Sequence, residues 1–87
     1  RDLSIVAPKE LEYSLIKKQI NLLDIKQIKQ FNLIDIYSDE TLKDNESLTI
    51  KFVLQDDDKT MEENEITEIM NKILTQLKEN LNISLRD

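Results

Sequence analysis

The stretch Ser47-Leu-Thr-Ile-Lys-Phe-Val-Leu-Gln55 alternates with a period of two, and the segment after it changes period. Leu48, Ile50, Phe52 and Leu54 fall on one side of an extended chain; Ser47, Thr49, Lys51, Val53 and Gln55 fall on the other. From Ile66 the apolar residues recur instead at helical spacing: Ile66, Ile69, Met70, Ile73, Leu74, Leu77 and Leu81. Ahead of them Thr60-Met-Glu-Glu63 fits a capping box, in which hydroxyl and glutamate satisfy each other's backbone N–H groups. Burying seven such side chains at about 1.5–3 kcal/mol each predicts a gross gain on the order of 10–20 kcal/mol. This helix is expected to be the chief core element.

Working outward, residues 2–7 read as a short strand with Leu3 and Ile5 on one face and Ser4 and Val6 on the other, stopped by Pro8. A helix is predicted from about Glu10 to Asn21, with Leu11, Leu15, Ile16 and Ile20 on its apolar face and Lys17 and Lys18 outside it. An extended stretch follows over 25–37, placing Ile34 and Ile36 on one face and Leu33, Asp35 and Tyr37 on the other. Residues 38–46 are a polar loop rich in Asp and Asn, and Ile83-Ser-Leu85 after Asn82 reads as a last short strand. The order is β-α-β-β-α-β. Two helices with one apolar stripe each cover one face of a four-stranded antiparallel sheet, which is the ferredoxin-like α+β sandwich with its first and third strands central. The other sheet face stays open. Parity lines it with Ser4, Val6, Leu33, Asp35, Tyr37, Ser47, Thr49, Lys51, Val53, Ser84 and Arg86.

Composition narrows the chemistry. Eighty-seven residues make one domain, and 39 % hydrophobic with 34 % charged content is that of a globular chain. No run approaches the roughly 18 apolar residues of a membrane span. Cysteine and histidine are absent, which removes disulfides, thiolate nucleophiles, histidine triads and nearly all zinc or copper sites. Glycine is absent too, which removes phosphate-cradling loops and dinucleotide fingerprints. No catalytic residue is expected here. Arg1, in place of an initiator methionine and directly ahead of a strand pattern, reads as the start of a module from a longer chain.

The net charge of −6 is localised. Residues 56–68 carry seven carboxylates against Lys59, so the rest of the chain is balanced, while Lys17, Lys18, Lys26 and Lys29 against Asp24 form a local +3. Those lysines, with Lys51 and Arg86 nearer the sheet, are candidates to neutralise phosphates. Three consecutive aspartates in extended chain cannot converge on one ion, so no metal is expected at 56–58.

Tyr37 is the aromatic that parity puts outside the core, and an exposed aromatic on a sheet can stack a splayed-out base. Asp35 projects beside it; a carboxylate accepting two coplanar hydrogen bonds matches the N1–H and N2–H₂ edge of guanine. The same residues also fit a cross-strand pair of Asp35 with Lys51 and a tyrosine packed on its neighbours. An RNP-type domain is disfavoured, because its aromatics would occupy the positions of Thr49, Lys51 and Val53.

Five motifs occur in order: Arg1-Asp-Leu-Ser4, Asp35-Ile-Tyr37, Ser47-Leu-Thr-Ile-Lys-Phe-Val-Leu-Gln-Asp56, Lys59-Thr-Met-Glu-Glu-Asn-Glu65 and Leu85-Arg86. Together they span essentially the whole chain. It resembles the C-terminal ferredoxin-fold anticodon-binding domain of the phenylalanyl-tRNA synthetase beta subunit. The resemblance implies that Tyr37 stacks on the first anticodon base, a guanine, that Asp35 bonds its edge, and that Ser4 and Ser47 line the same site. It implies RNA as the partner, the tRNA(Phe) anticodon stem-loop, and a cytoplasmic parent ligase that uses ATP and magnesium. That parent is an α2β2 heterotetramer with its catalysis outside residues 1–87 and the tRNA bound across subunits. Ile34 stands where the family commonly has an aromatic, Lys59 where it has arginine, residues 38–46 lack its loop glycines, and no proline interrupts Asp56-Asp57-Asp58. The acid run is therefore expected to face away from bound RNA.

Two other functions share this topology. A small-molecule regulatory module of the amino-acid-sensing type generally needs a glycine turn after the first strand, where this chain has Pro8-Lys9. A protein-docking module would use an apolar trio of Val6, Leu33 and Val53 on the open face.

Overall fold

The computed structural model describes residues 1–86. Its elements are β1 (Asp2–Pro8), α1 (Tyr13–Leu22), β2 (Ile28–Tyr37), β3 (Asn45–Leu54), α2 (Glu63–Leu81) and β4 (Ser84–Leu85). They form one antiparallel sheet in the order β2-β3-β1-β4, so the first and third strands are central as the sequence predicts. Leu3, Ile5 and Ala7 of β1 and Leu48, Ile50 and Phe52 of β3 pack against Ile16 and Ile20 of α1 and Ile69, Ile73 and Leu77 of α2. Phe31 stacks on Phe52 with ring centroids 5.7 Å apart. Both helices lie on this side. The other sheet face is bare.

The helices differ from expectation in detail. Residues 9–11 form a turn closed by the Leu11 N–H on the Pro8 carbonyl at 3.0 Å, so α1 starts at Tyr13 rather than Glu10. Leu15 lies outside the core at 44 % exposure, while Ile16 and Ile20 are buried. In α2 the capping box does not form: the helix starts at Glu63, and its N-cap is Glu62 without a side-chain bond. Glu63 instead pairs with Arg1, and Glu65 with Lys59 at 3.0 Å. Of the seven stripe residues only Ile69, Ile73 and Leu77 are buried and the other four are half-buried, so the gross gain from this helix is smaller than predicted. Asn82 ends α2 in the left-handed conformation at φ 53°, a position usually taken by glycine.

Strand β2 departs most. Leu33 pairs with Ile50 and Asp35 with Thr49, consecutive positions of β3, so Ile34 between them is an extra residue without a partner. This β-bulge reverses the phase. Phe31 and Leu33 turn toward the helices, whereas Asp35 and Tyr37 turn to the bare face. Leu33 therefore leaves the open face predicted for it and joins the core margin. Ile34 and Ile36 do not form a buried face; both are exposed.

Candidate nucleic-acid interface

The residues of the bare face stand in cross-strand rows fixed by register. Tyr37, Ser47, Val6 and Ser84 occupy one row; Asp35, Thr49 and Ser4 the next; Asn32, Lys51 and Asp2 the one beyond. All six sequence-predicted positions, Tyr37, Asp35, Ser4, Ser47, Lys51 and Arg86, are on this side of the sheet.

Three of them meet directly. Arg86 is tied to the sheet by its backbone N–H on the Ser4 carbonyl at 3.1 Å. Its side chain crosses β1 to donate from Nη1 to Ser47 Oγ at 3.0 Å and places its guanidinium carbon 5.0 Å from the Tyr37 ring centroid. Ser47 is buried in the middle, while the tyrosine ring is 42 % exposed. In the next row the hydroxyls of Ser4 and Thr49 share a hydrogen bond of 2.9 Å. Asp35 is exposed beside them, and the cross-strand Asp35–Lys51 pair does not form: Asp35 faces Thr49, Lys51 faces Asn32, and no ion pair among the described residues includes either. Lys51 lies four residues along β3 from Ser47, about 13 Å at strand rise.

The other predicted cations sit elsewhere. Lys17 and Lys18 are on α1, in the layer on the opposite side of the sheet. Lys29 donates to Asp57 at 2.9 Å, and Lys26 and Lys29 line a hollow with Asp56, Asp57 and Asp58. The basic segment thus turns toward the acidic one. That cluster lies beyond the far end of β3, nine residues from Ser47 or roughly 30 Å along the strand. The acid run is remote from Tyr37.

Asp39 is the participant that strand parity misses, because it lies in the loop. Its carboxylate accepts the Tyr37 hydroxyl at 2.7 Å. The Tyr37 phenol is raised above its ordinary value of 10.0 chiefly by that bond, then by the carboxylate's charge and by burial, against Arg86. The Asp39 carboxyl is lowered below 3.8, first by the Thr41 hydroxyl, then by Tyr37 and by backbone N–H groups, against burial. An Asp two residues before a Thr in a glycine-free loop is the sequence signal for such a turn.

A guanidinium over a phenol ring, a free carboxylate one row away and a line of hydroxyls offer a ring to stack on, an acceptor pair and cationic charge. Comparison with known proteins bears on this combination. The family model described as "Ferredoxin-fold anticodon binding domain" matches residues 1–86. The chain is 50 % identical over 86 residues to the phenylalanine–tRNA ligase beta subunit of Sulfurimonas denitrificans, covering 99 % of this chain and 11 % of that protein. It is 49 % identical to the same subunit of Campylobacter jejuni strain RM1221 over equal shares, and 39 % identical to that of Idiomarina loihiensis over 100 % of this chain and 11 % of the relative. The chain spans 11 % of the length of the curated relatives it matches.

Proposed function

The chain belongs to the ferredoxin-fold anticodon-binding domain family, and from that premise we propose that it is the anticodon-reading module of a phenylalanine–tRNA ligase beta subunit. The partner is the anticodon stem-loop of tRNA(Phe), held on the bare sheet face. Tyr37 supplies the stacking surface, Asp35 accepts the guanine edge, Ser4 and Ser47 line the floor, and Lys51 and Arg86 meet phosphate. The domain sits at the C-terminal end of a longer cytoplasmic chain that joins an alpha subunit in an α2β2 assembly. ATP and magnesium serve the parent ligase outside residues 1–87, and this domain performs no catalysis. No helix among the described residues is long and apolar enough to cross a membrane.

The observation that carries the reading is the bulge-set phase of β2, with Tyr37 and Asp35 both exposed on the face that no helix covers. Support also comes from the relatives' names. A docking function is less well supported, since Leu33 turns to the core and breaks up the apolar trio. The test is binding of a stem-loop with a 5′ guanine to the parent enzyme, wild type against Tyr37→Ala. Base stacking worth about 1–3 kcal/mol predicts a loss of about five- to 150-fold. Equal affinity would remove the proposal.

A further inference from the structure

The loop from β2 to β3 contains no glycine, and one carboxylate organises it. Asp39 Oδ1 accepts the Thr41 N–H at 2.9 Å, the Thr41 hydroxyl at 2.6 Å and the Leu42 N–H at 3.2 Å. The Asn45 N–H on the Leu42 carbonyl at 2.9 Å, with Lys43 left-handed at φ 56°, completes the reversal into β3. The second oxygen, Oδ2, takes the Tyr37 hydroxyl at 2.7 Å. One oxygen folds the turn and the other grips the phenol. The ring is thereby held at its hydroxyl end by the turn and over its face by Arg86.

We propose that Asp39 is a positioning residue of the base-stacking site, fixing the plane of the Tyr37 ring by anchoring its hydroxyl to the turn that the same carboxylate folds. The proposal rests on the anticodon-reading function above. An exposed tyrosine without such an anchor rotates about its side-chain bonds, and freezing that motion on binding weakens an interface by about two- to tenfold per side chain. Asp39 differs from Asp35 in what surrounds it. Four donors already engage Asp39, so it holds the ring and does not read a base edge, whereas Asp35 stands exposed one row away.

Two measurements on the full-length parent enzyme test this. The first is stem-loop affinity for Tyr37→Phe, Asp39→Ala and the double variant. Tyr37→Phe keeps the stacking face and loses the anchored hydroxyl; Asp39→Ala removes both acceptor oxygens, where an asparagine amide N–H would still hold the phenol oxygen. Each single change is expected to weaken binding by at least about fivefold, and the double variant no further than Asp39→Ala alone. Additive losses would overturn the anchor, as would an Asp39→Ala enzyme that binds like wild type. The second uses 3-fluorotyrosine at position 37 and follows its fluorine-19 shift against pH without RNA. Asp39→Asn is expected to lower the phenol's titration midpoint, and an unmoved midpoint would overturn the contact. If Tyr37→Ala leaves RNA binding unchanged while the midpoint moves, the anticodon reading fails and the Asp39–Tyr37 contact stands.

Discussion

Arg86 lies over the Tyr37 ring, its guanidinium carbon 5.0 Å from the centroid, although one residue borders the last strand and the other ends the second. The contact crosses the two central strands and is braced between them by the buried Ser47 hydroxyl. Planarity matters here: a guanidinium can lie flat on a ring and still donate sideways, which an ammonium cannot. The free face of the sheet therefore already carries a cation over its aromatic residue.

Replacing Arg86 separates charge from shape. Each phosphate contact on single-stranded nucleic acid contributes about −0.7 to the slope of log affinity against log salt. Arg86→Ala is expected to weaken stem-loop binding and flatten that slope by about 0.7. Arg86→Lys should keep the slope and still lose affinity, because neither the stacking nor the Ser47 bond survives in the same geometry. Salt titrations of the three proteins check this; a slope unchanged by Arg86→Ala would show that no phosphate sits there.

The Tyr37–Asp39 bond has a defined pH window. The Asp39 carboxyl is lowered in the folded chain, so its contribution is complete above the ordinary value of 3.8 and is lost as pH falls through the lower folded value. The Tyr37 phenol is raised, so its contribution is complete below 10.0 and is lost as pH rises through the higher folded value. Thermal unfolding of wild type and Asp39→Asn should show a constant gap between about pH 5 and pH 9 that narrows in acid. A gap that widens on acidification would contradict the assigned direction.

How much of this was legible in the sequence depends on the element. The alternation of Ser47–Gln55 and the stripe of α2 carry their periods in unbroken runs, and both appear where the pattern puts them. Ends are set by competing local bonds, which is why Pro8–Leu11 closes a turn before α1 and Arg1 captures Glu63 in place of a capping box. Leu33 went astray because simple parity has no term for an inserted residue; an apolar Leu-Ile pair gives no sign of which of the two will bulge. Tyr37 and Asp35 lie beyond the bulge, where alternation about Ile36 is unbroken and gives their face directly. Asp39 escaped because its role depends on a loop conformation rather than a period.

Leu15 and Ile16 are adjacent in α1 with opposite fates, and they measure how much core this short helix supplies. Ile16 is completely buried, and its truncation to alanine should cost about 2–5 kcal/mol. Leu15, 44 % exposed, should lose less than about 1 kcal/mol on the same change. Denaturant unfolding of the two variants decides this, and similar losses would mean that the α1 apolar face is rotated.

Deleting Ile34 puts the bulge itself to the test. Without the extra residue Leu33 and Asp35 become neighbours, and pairing that keeps Leu33 opposite Ile50 and Asp35 opposite Thr49 leaves Asp35 and Tyr37 on the bare face, since adjacent residues of a strand point to opposite sides. Deleting Ile36 instead, beyond the bulge, puts Tyr37 in the position opposite Leu48 and turns it to the helix side. The Ile34 deletion should bind a 5′-guanine stem-loop near wild type, whereas the Ile36 deletion should lose more than about tenfold in affinity. Amide spectra of both deletions alongside binding check that the Phe31–Phe52 half of the sheet is retained. An Ile36 deletion that binds like wild type would mean that the phase of β2 does not present the tyrosine.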